Sequence, residues 1–256
     1  MPKSKGRKPK KRSVSSRRAS PRLAAVPAAV TELAVGAYRV RPARTPEELS
    51  GFERWASMAG AGGPKVAQNL VRAHGDGFLG AGLRDPDTSY RMMVSSLFGG
   101  DLDAVLWART DALVATLDGH VVGGAMIGPA AQFISEVGEV HRLGTTAVMQ
   151  VMLFTSKLHL VAVDDDHRRH GLGRALVRAA TAAAYRGGVK ILYGQFLTEN
   201  RGLAEFYGRQ GFTVMPPATP LNFSQWLDGF PGGPAPLENE TFFYRTLATD
   251  RYPLIR

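Results

Sequence analysis

The sequence predicts an α/β domain in which helices flank a mixed central sheet, carried behind a basic N-terminal arm. Three observations lead there. From Leu158 to Arg174 an apolar run ends in three acids, then enters an Arg-rich loop punctuated by Gly171 and Gly173, and a helix-forming segment, Ala175 to Arg186, follows directly. A second run rich in β-formers, Val189 to Phe196, is again followed by a helical pattern. Upstream, Ala112 to Ile127 gives two alternating runs joined by Asp118-Gly119, a dipeptide suited to a hairpin turn. Strands that alternate with helices, beside one hairpin, are the pattern of a mixed α/β sheet.

The elements follow in chain order. Residues 1–37 read as a disordered basic arm and linker, and 38–256 as the folded domain. Glu47 to Met58 and Lys65 to His74 place Leu, Phe, Trp and Val at roughly helical spacings. Ala59 to Gly63 and Gly75 to Gly82 read as flexible connections. Residues 129–152 exceed what a hairpin turn needs and read as an insertion with helical character. Asn200 is placed to cap a helix running to about Arg209, and Gly211 suits a left-handed helix exit. Residues 216–238 hold six prolines around Phe223, Trp226 and Phe230, the composition of a substrate lid, before a last strand at Thr241 to Leu247.

The loop after the central strand carries the chemistry. A strand that feeds a helix through Arg168-x-x-Gly171-x-Gly173 exposes backbone N–H groups at a helix N-terminus, where the macrodipole is positive. That is a site for phosphate or pyrophosphate. Arg168, Arg169 and Arg174 add charge that can fork onto phosphate oxygens. A dinucleotide fingerprint would need glycine where Leu176 stands, and nothing supplies the Gly-Lys-Ser/Thr of a Walker loop. Asp164, Asp165 and Asp166 could be drawn as metal ligands, but at this strand exit they read more simply as solvated groups that orient the arginines.

The pattern Val163-x-x-x-x-Arg168-x-x-Gly171-x-Gly173 resembles motif A of the GNAT superfamily of N-acyltransferases. Asn200-x-x-x-Ala204-x-x-Tyr207-x-x-x-Gly211-Phe212 resembles the second signature of that superfamily, 29 residues on from Gly171 to Asn200, and Tyr38 to Leu49 resembles its first strand and first-helix start. The resemblance implies a sheet splayed between the fourth and fifth strands and acetyl-CoA as acyl donor, with no metal. It implies that the backbone of Val161, Ala162 and Val163 pairs with the pantetheine arm. The pyrophosphate would be held by Arg168, Arg169, His170, Gly171, Leu172, Gly173 and Arg174, with Asn200 nearby. Tyr207 falls where many members place the general acid for the leaving thiolate. His159 matches the position of a catalytic His in the arylalkylamine branch, and strand alternation puts it on one face with Val161 and Val163. An imidazole near pKa 6.5 suits a base. Gln195 stands where some protein-acetylating members carry a Glu, and it takes no proton; Glu136 and Glu139 are the alternative bases, acting through a water. The resemblance also implies that the first helices wall the acceptor site and that the 129–152 insertion lies over it.

The implied activity is transfer of acetyl from acetyl-CoA to an amine of unidentified identity by direct attack. The alternative is a catalytically idle domain of the same type that senses CoA or serves a nucleic-acid-binding tail. Composition narrows this further. The chain has 256 residues with 44% hydrophobic content and no cysteine, so a disulfide framework, a thiol nucleophile and a Cys-ligated zinc site are excluded. No apolar stretch reaches the length of a membrane span, and a cytoplasmic location is expected. Residues 1–22 hold ten Lys and Arg and no acid; without them the chain carries 22 basic and 22 acidic residues. The formal charge of +10 is therefore a property of the arm. Such an arm suits nucleic acid or an anionic surface through counterion release, or serves only solubility. Ser16-Arg17-Arg18 mimics an export signal weakly, because Pro27 and Glu32 interrupt the apolar region behind it and no strong hydrophobe directly follows the arginines.

Overall fold

The computed structural model describes residues 32–59, 65–96, 102–140 and 144–247. The expected arm, the connection at 60–63 and the side chain of Glu139 lie outside the described residues.

One mixed sheet of eight strands organises the fold: β1 (Leu33–Val35), β2 (Tyr38–Pro42), β3 (Asp111–Leu117), β4 (His120–Gly128), β5 (Thr155–Val163), β6 (Ile191–Leu197), β7 (Thr213–Val214) and β8 (Glu240–Thr246). Their order across the sheet is β1-β2-β3-β4-β5-β6-β8-β7. All neighbours run antiparallel except β5 and β6. The β3–β4 hairpin forms as expected, with Asp118 at φ 48° and Gly119 at φ 84°. Two successive left-handed residues give the turn whose twist matches the flanking strands.

The helices are α1 (Pro46–Ser50), α2 (Phe52–Met58), α3 (Val66–Gly75), α4 (Ala81–Arg84), α5 (Pro86–Ser96), α6 (Leu102–Ala108), α7 (Ala131–Ser135), α8 (Thr145–Phe154), α9 (Leu172–Arg186) and α10 (Arg201–Gly208). One face of the sheet is covered by α9. Its alanines 175, 179, 180, 183 and 184 are buried with Leu172 and Leu176 against Leu113, Ala125 and Leu158, while Arg174 and Arg178 stay exposed. The opposite face carries two clusters. Phe52, Trp55 and Leu70 pack on Ala112, Val114 and Leu160, and Phe133, Val151, Phe223 and Phe230 pack on Ile191, Tyr193 and Phe242.

Several expectations shift. The sheet starts at Leu33, earlier than the boundary at 38, because Leu33–Val35 pairs in register with Tyr38–Val40. The helix expected over 47–58 is two, since Thr45 caps α1 with Pro46 in its first turn and Gly51 ends it. Gly75 to Gly82 forms hydrogen-bonded turns around a buried Leu79 and enters α4. The 129–152 insertion is helical, as α7, a π-helical stretch at Glu136–Val140 and α8. Helices α5 and α6 were not expected from the sequence. The proline-rich segment is no free lid: Leu221, Phe223, Leu227 and Phe230 are all buried in the second cluster.

Candidate functional site

Strands β5 and β6 pair only from Thr155–Ile191 to Lys157–Tyr193. Beyond that point β5 continues on β4 as far as Val163, and β6 continues on β8 as far as Leu197. The two strands therefore splay, and the extra strand at the start of the chain makes them the fifth and sixth. A cavity of about 380 Å³ occupies the far end, lined by Val161, Ala162, Val163, His167, Arg168, Arg169, Gly171, Leu172, Gly173, Arg174, Leu203, Phe206 and Tyr207. The structure thus brings together nearly every residue expected at a phosphate loop.

Local geometry explains why. Gly171, at φ 81°, is the residue before α9, a conformation that glycine adopts without penalty. Ala175 N–H is the first to close a helical turn, onto Gly171 O at 3.1 Å. The N–H groups of Leu172, Gly173 and Arg174 have no partner inside the helix, and no side chain caps them. Gly173 is helical, and a Cβ placed there would meet only the Phe206 ring, at 3.5 Å. Neither backbone nor packing requires glycine at 173. A ligand approaching the N–H groups would.

Of the arginines around the loop, Arg168 is tethered. Arg168 Nε donates to Val163 O at 3.1 Å and its terminal nitrogen lies 2.7 Å from Asp165 Oδ1. Arg169 takes a left-handed φ of 68°, which turns the chain toward Gly171. Tyr38 Oη lies 3.2 Å from His167 Nδ1, and its ring packs against His170. His170 is exposed and does not line the cavity, whereas His167, unanticipated from sequence, does. Asn200 precedes α10, but its side chain caps nothing; Leu203 N–H donates to Asn200 O at 2.9 Å, and the residue does not line the cavity. Asp164 is a clasp: its carboxylate accepts from Arg54 and from Trp55 Nε1 at 2.9 Å, fastening α2 to the end of β5. Among the described residues no cluster of three or more acidic or histidine side chains could hold a metal.

Tyr207 enters the cavity from α10. Its ring stacks on Phe243, centroids 3.7 Å apart and planes nearly parallel, with Phe206 and Phe212 packed edge-on against it. Burial raises the phenol above its ordinary pKa of 10, so it is protonated at any neutral pH. It can donate a hydrogen bond. It is a poor donor for complete proton transfer to a thiolate near 8.5.

His159 departs from expectation. Met126 pairs with Leu160 and Ile127 with Leu158, so His159 is the extra residue of a β-bulge and the simple alternation that would align it with Val161 and Val163 is broken. Its Nε2 donates to Pro129 O at 3.2 Å. Desolvation, reinforced by the Lys157 charge, pushes the imidazole down to about 4. It stays neutral at physiological pH and is a weak base. Sequence reasoning also missed Glu240. It lies on β8, and its Oε1 accepts from Gln195 Nε2 at 2.6 Å, which returns a carboxylate to the place where β6 offers only an amide. Glu136 is engaged by Gln132 Nε2 at 3.2 Å.

The family model described as an acetyltransferase (GNAT) domain matches residues 108–214. No curated protein matches the chain. Among solved structures, it is similar to a protein from Desulfovibrio desulfuricans assigned to the GNAT family of acetyltransferases, at 18% identity over 83% of this chain and 100% of that one, TM-score 0.47. It is similar to Ard1 from Thermoplasma volcanium at 15% identity over 83% and 99% of the two chains, TM-score 0.46. A GNAT family acetyltransferase from Elizabethkingia anophelis with acetyl-CoA bound gives 13% identity, 83% and 99% coverage and a TM-score of 0.40. The family match spans β3 to β7, the part of the sheet that carries the strand–loop–helix described above, so residues 108–214 are similar to a GNAT acetyltransferase domain.

Proposed function

We propose that the protein moves an acetyl group from acetyl-CoA to an amine by direct attack, with the pyrophosphate of the donor seated at the head of α9. The observation that carries this reading is the cradle itself. The unpartnered N–H groups of Leu172, Gly173 and Arg174 open into a cavity rimmed by Arg168, Arg169 and Arg174, at a glycine the fold does not need. Donors of that kind suit two linked phosphates.

The bound donor would supply an activated thioester. The residues of this chain then do the rest. Past the splay, the cavity-facing backbone of Val161, Ala162 and Val163 is free of β6, and amides held beside it could bond to it as a further strand would. Tyr207, protonated throughout the neutral range, offers its hydroxyl to the sulfur as negative charge develops there. The bulge at His159, between β4 and β5, lies just beyond the last β5–β6 pair. Removal of the acceptor proton falls to water, or to the Glu240 carboxylate beside Gln195, rather than to an imidazole held at about 4. No covalent intermediate is needed, and the chain has no cysteine to form an acetyl thioester.

The test is release of free thiol from acetyl-CoA with a panel of amines, coupled to mass detection of the acetylated product. Thiol release that depends on both the amine and a folded protein supports the reading. Acetyl-CoA binding without turnover on any amine supports a sensor instead.

A further inference from the structure

Lys157 is the last residue of β5 that pairs with β6, so it stands at the inner end of the wedge. Parallel partners share a face, and Lys157 is opposite Tyr193, whose ring packs against Phe223 and Phe242. The side chain therefore belongs to the sheet face away from α9. Gln195 shares that face two residues along β6, and Glu240 joins it from β8, paired with Leu197. His159 is two residues further along β5.

Lys157 is half-buried as a residue, its ammonium keeps contact with solvent, and among the described residues it makes no ion pair and no hydrogen bond. Among the described residues the acid whose field reaches it is Glu240, already occupied, with Oε1 accepting from Gln195 Nε2 at 2.6 Å and Oε2 from Leu237 N at 2.9 Å. Burial lowers the ammonium's pKa more than Glu240 restores it. A cation partly shielded from water and without a counter-ion is less stable than a paired one, and a bound anion would offset that cost. The same cation repels an incoming ammonium unless the acceptor brings its own negative charge.

We propose that Lys157 binds the carboxylate of the acceptor, which makes free amino acids the acceptor class. This rests on the acetyl-transfer reading above, with the donor's thioester directed from the head of α9 back along β5 toward the inner end of the wedge. A zwitterion fits the pair of charges already present: its carboxylate neutralises Lys157, and its amino group lies one carbon away, free to turn toward the donor.

The experiment uses the full chain and matched acceptors: L-phenylalanine, L-phenylalaninamide and phenethylamine, then L-lysine and cadaverine. Thiol release should favour the carboxylate-bearing member of each set by about tenfold or more in kcat/KM, the scale of one charge-assisted contact. Lys157→Met should melt no lower than the parent and lose that preference, falling on the amino acids while its rates with phenethylamine and cadaverine rise as the repulsion is removed; Lys157→Arg should keep the preference. Equal rates within each set, or a parallel fall on acids and plain amines in Lys157→Met, overturn the proposal. If no amine releases thiol, the transfer reading fails and calorimetry of the same amino acids on the CoA-saturated protein decides the question. Binding that is lost in Lys157→Met supports the carboxylate site; no binding to the parent, or equal binding to the variant, overturns it. Should Lys157→Met not fold, the comparison of L-phenylalanine with its amide on the parent protein decides alone.

Discussion

Replacing Gly173 by alanine separates what the fold needs from what the ligand needs. The new Cβ would meet the Phe206 ring at 3.5 Å, ordinary contact, and the backbone at 173 is already helical. Alanine favours a helix over glycine by up to about 1 kcal/mol. The variant should therefore melt at the same temperature as the parent or slightly above it. Its methyl, however, projects beside N–H groups that have no other partner, where a phosphate oxygen must approach. Losing one charge-assisted hydrogen bond there removes about 1.5–3 kcal/mol, or about 10- to 150-fold in affinity. Isothermal calorimetry with acetyl-CoA, paired with a thermal melt, reads both effects, and Gly173→Val should show the larger loss. Parent-like affinity in folded Gly173→Ala and Gly173→Val would refute the assignment of this loop to pyrophosphate.

Other consequences can be checked on the same protein. Tyr207→Phe keeps the stack on Phe243 and removes a hydroxyl that bonds to nothing among the described residues, so stability should hold while kcat falls by about 100-fold at little change in acetyl-CoA affinity. Because His159 titrates at about 4 when folded and near 6.5 when unfolded, the unfolded chain takes the proton first, and stability is lost as pH falls from 6.5 to 4. The pH–rate profile should accordingly lack an imidazole limb near 6.5, and His159→Gln should leave it unchanged between pH 5.5 and 8; a limb there that vanishes in the variant would restore His159 as the base. Asp111 has the opposite sign: burial raises it from 3.8 to about 6, against the pull of Arg84 and Arg186, so stability is lost as pH rises through that window. Asp111→Asn should match the parent at pH 4 and exceed it by up to about 3 kcal/mol at pH 7 in urea denaturation, and equal stabilities at pH 7 would contradict the burial argument.

What could be read from sequence was what is local along the chain. The spacing from Val163 to Gly173 specifies a strand exit, a turn and a helix start within a few residues, and the cavity lining followed from it. Asp118-Gly119 announced its hairpin because both positions need left-handed backbone. The misses depend on register and on contacts between distant segments. Nothing near His159 signals that β4 and β5 slip by one residue there, yet that slip decides which way the imidazole faces. Glu240 comes to Gln195 only because β8 returns to pair with β6, across 45 residues of chain. The proline-rich segment has the composition of a lid, but four apolar side chains between Leu221 and Phe230 found a core to bury in. Asn200 looked like a cap by residue type, and its own backbone conformation, φ −79° and ψ 61°, left the side chain without the bond.

Amide hydrogen exchange with and without acetyl-CoA tests the placement of the donor most directly, because exchange reports backbone N–H groups one segment at a time. Protection is expected over Val161 to Val163 and over Gly171 to Arg174, with little change at the β3–β4 hairpin, and it should shrink in Gly173→Val. Saturating acetyl-CoA that leaves the head of α9 exchanging as before, or that protects a different part of the sheet, would contradict the account.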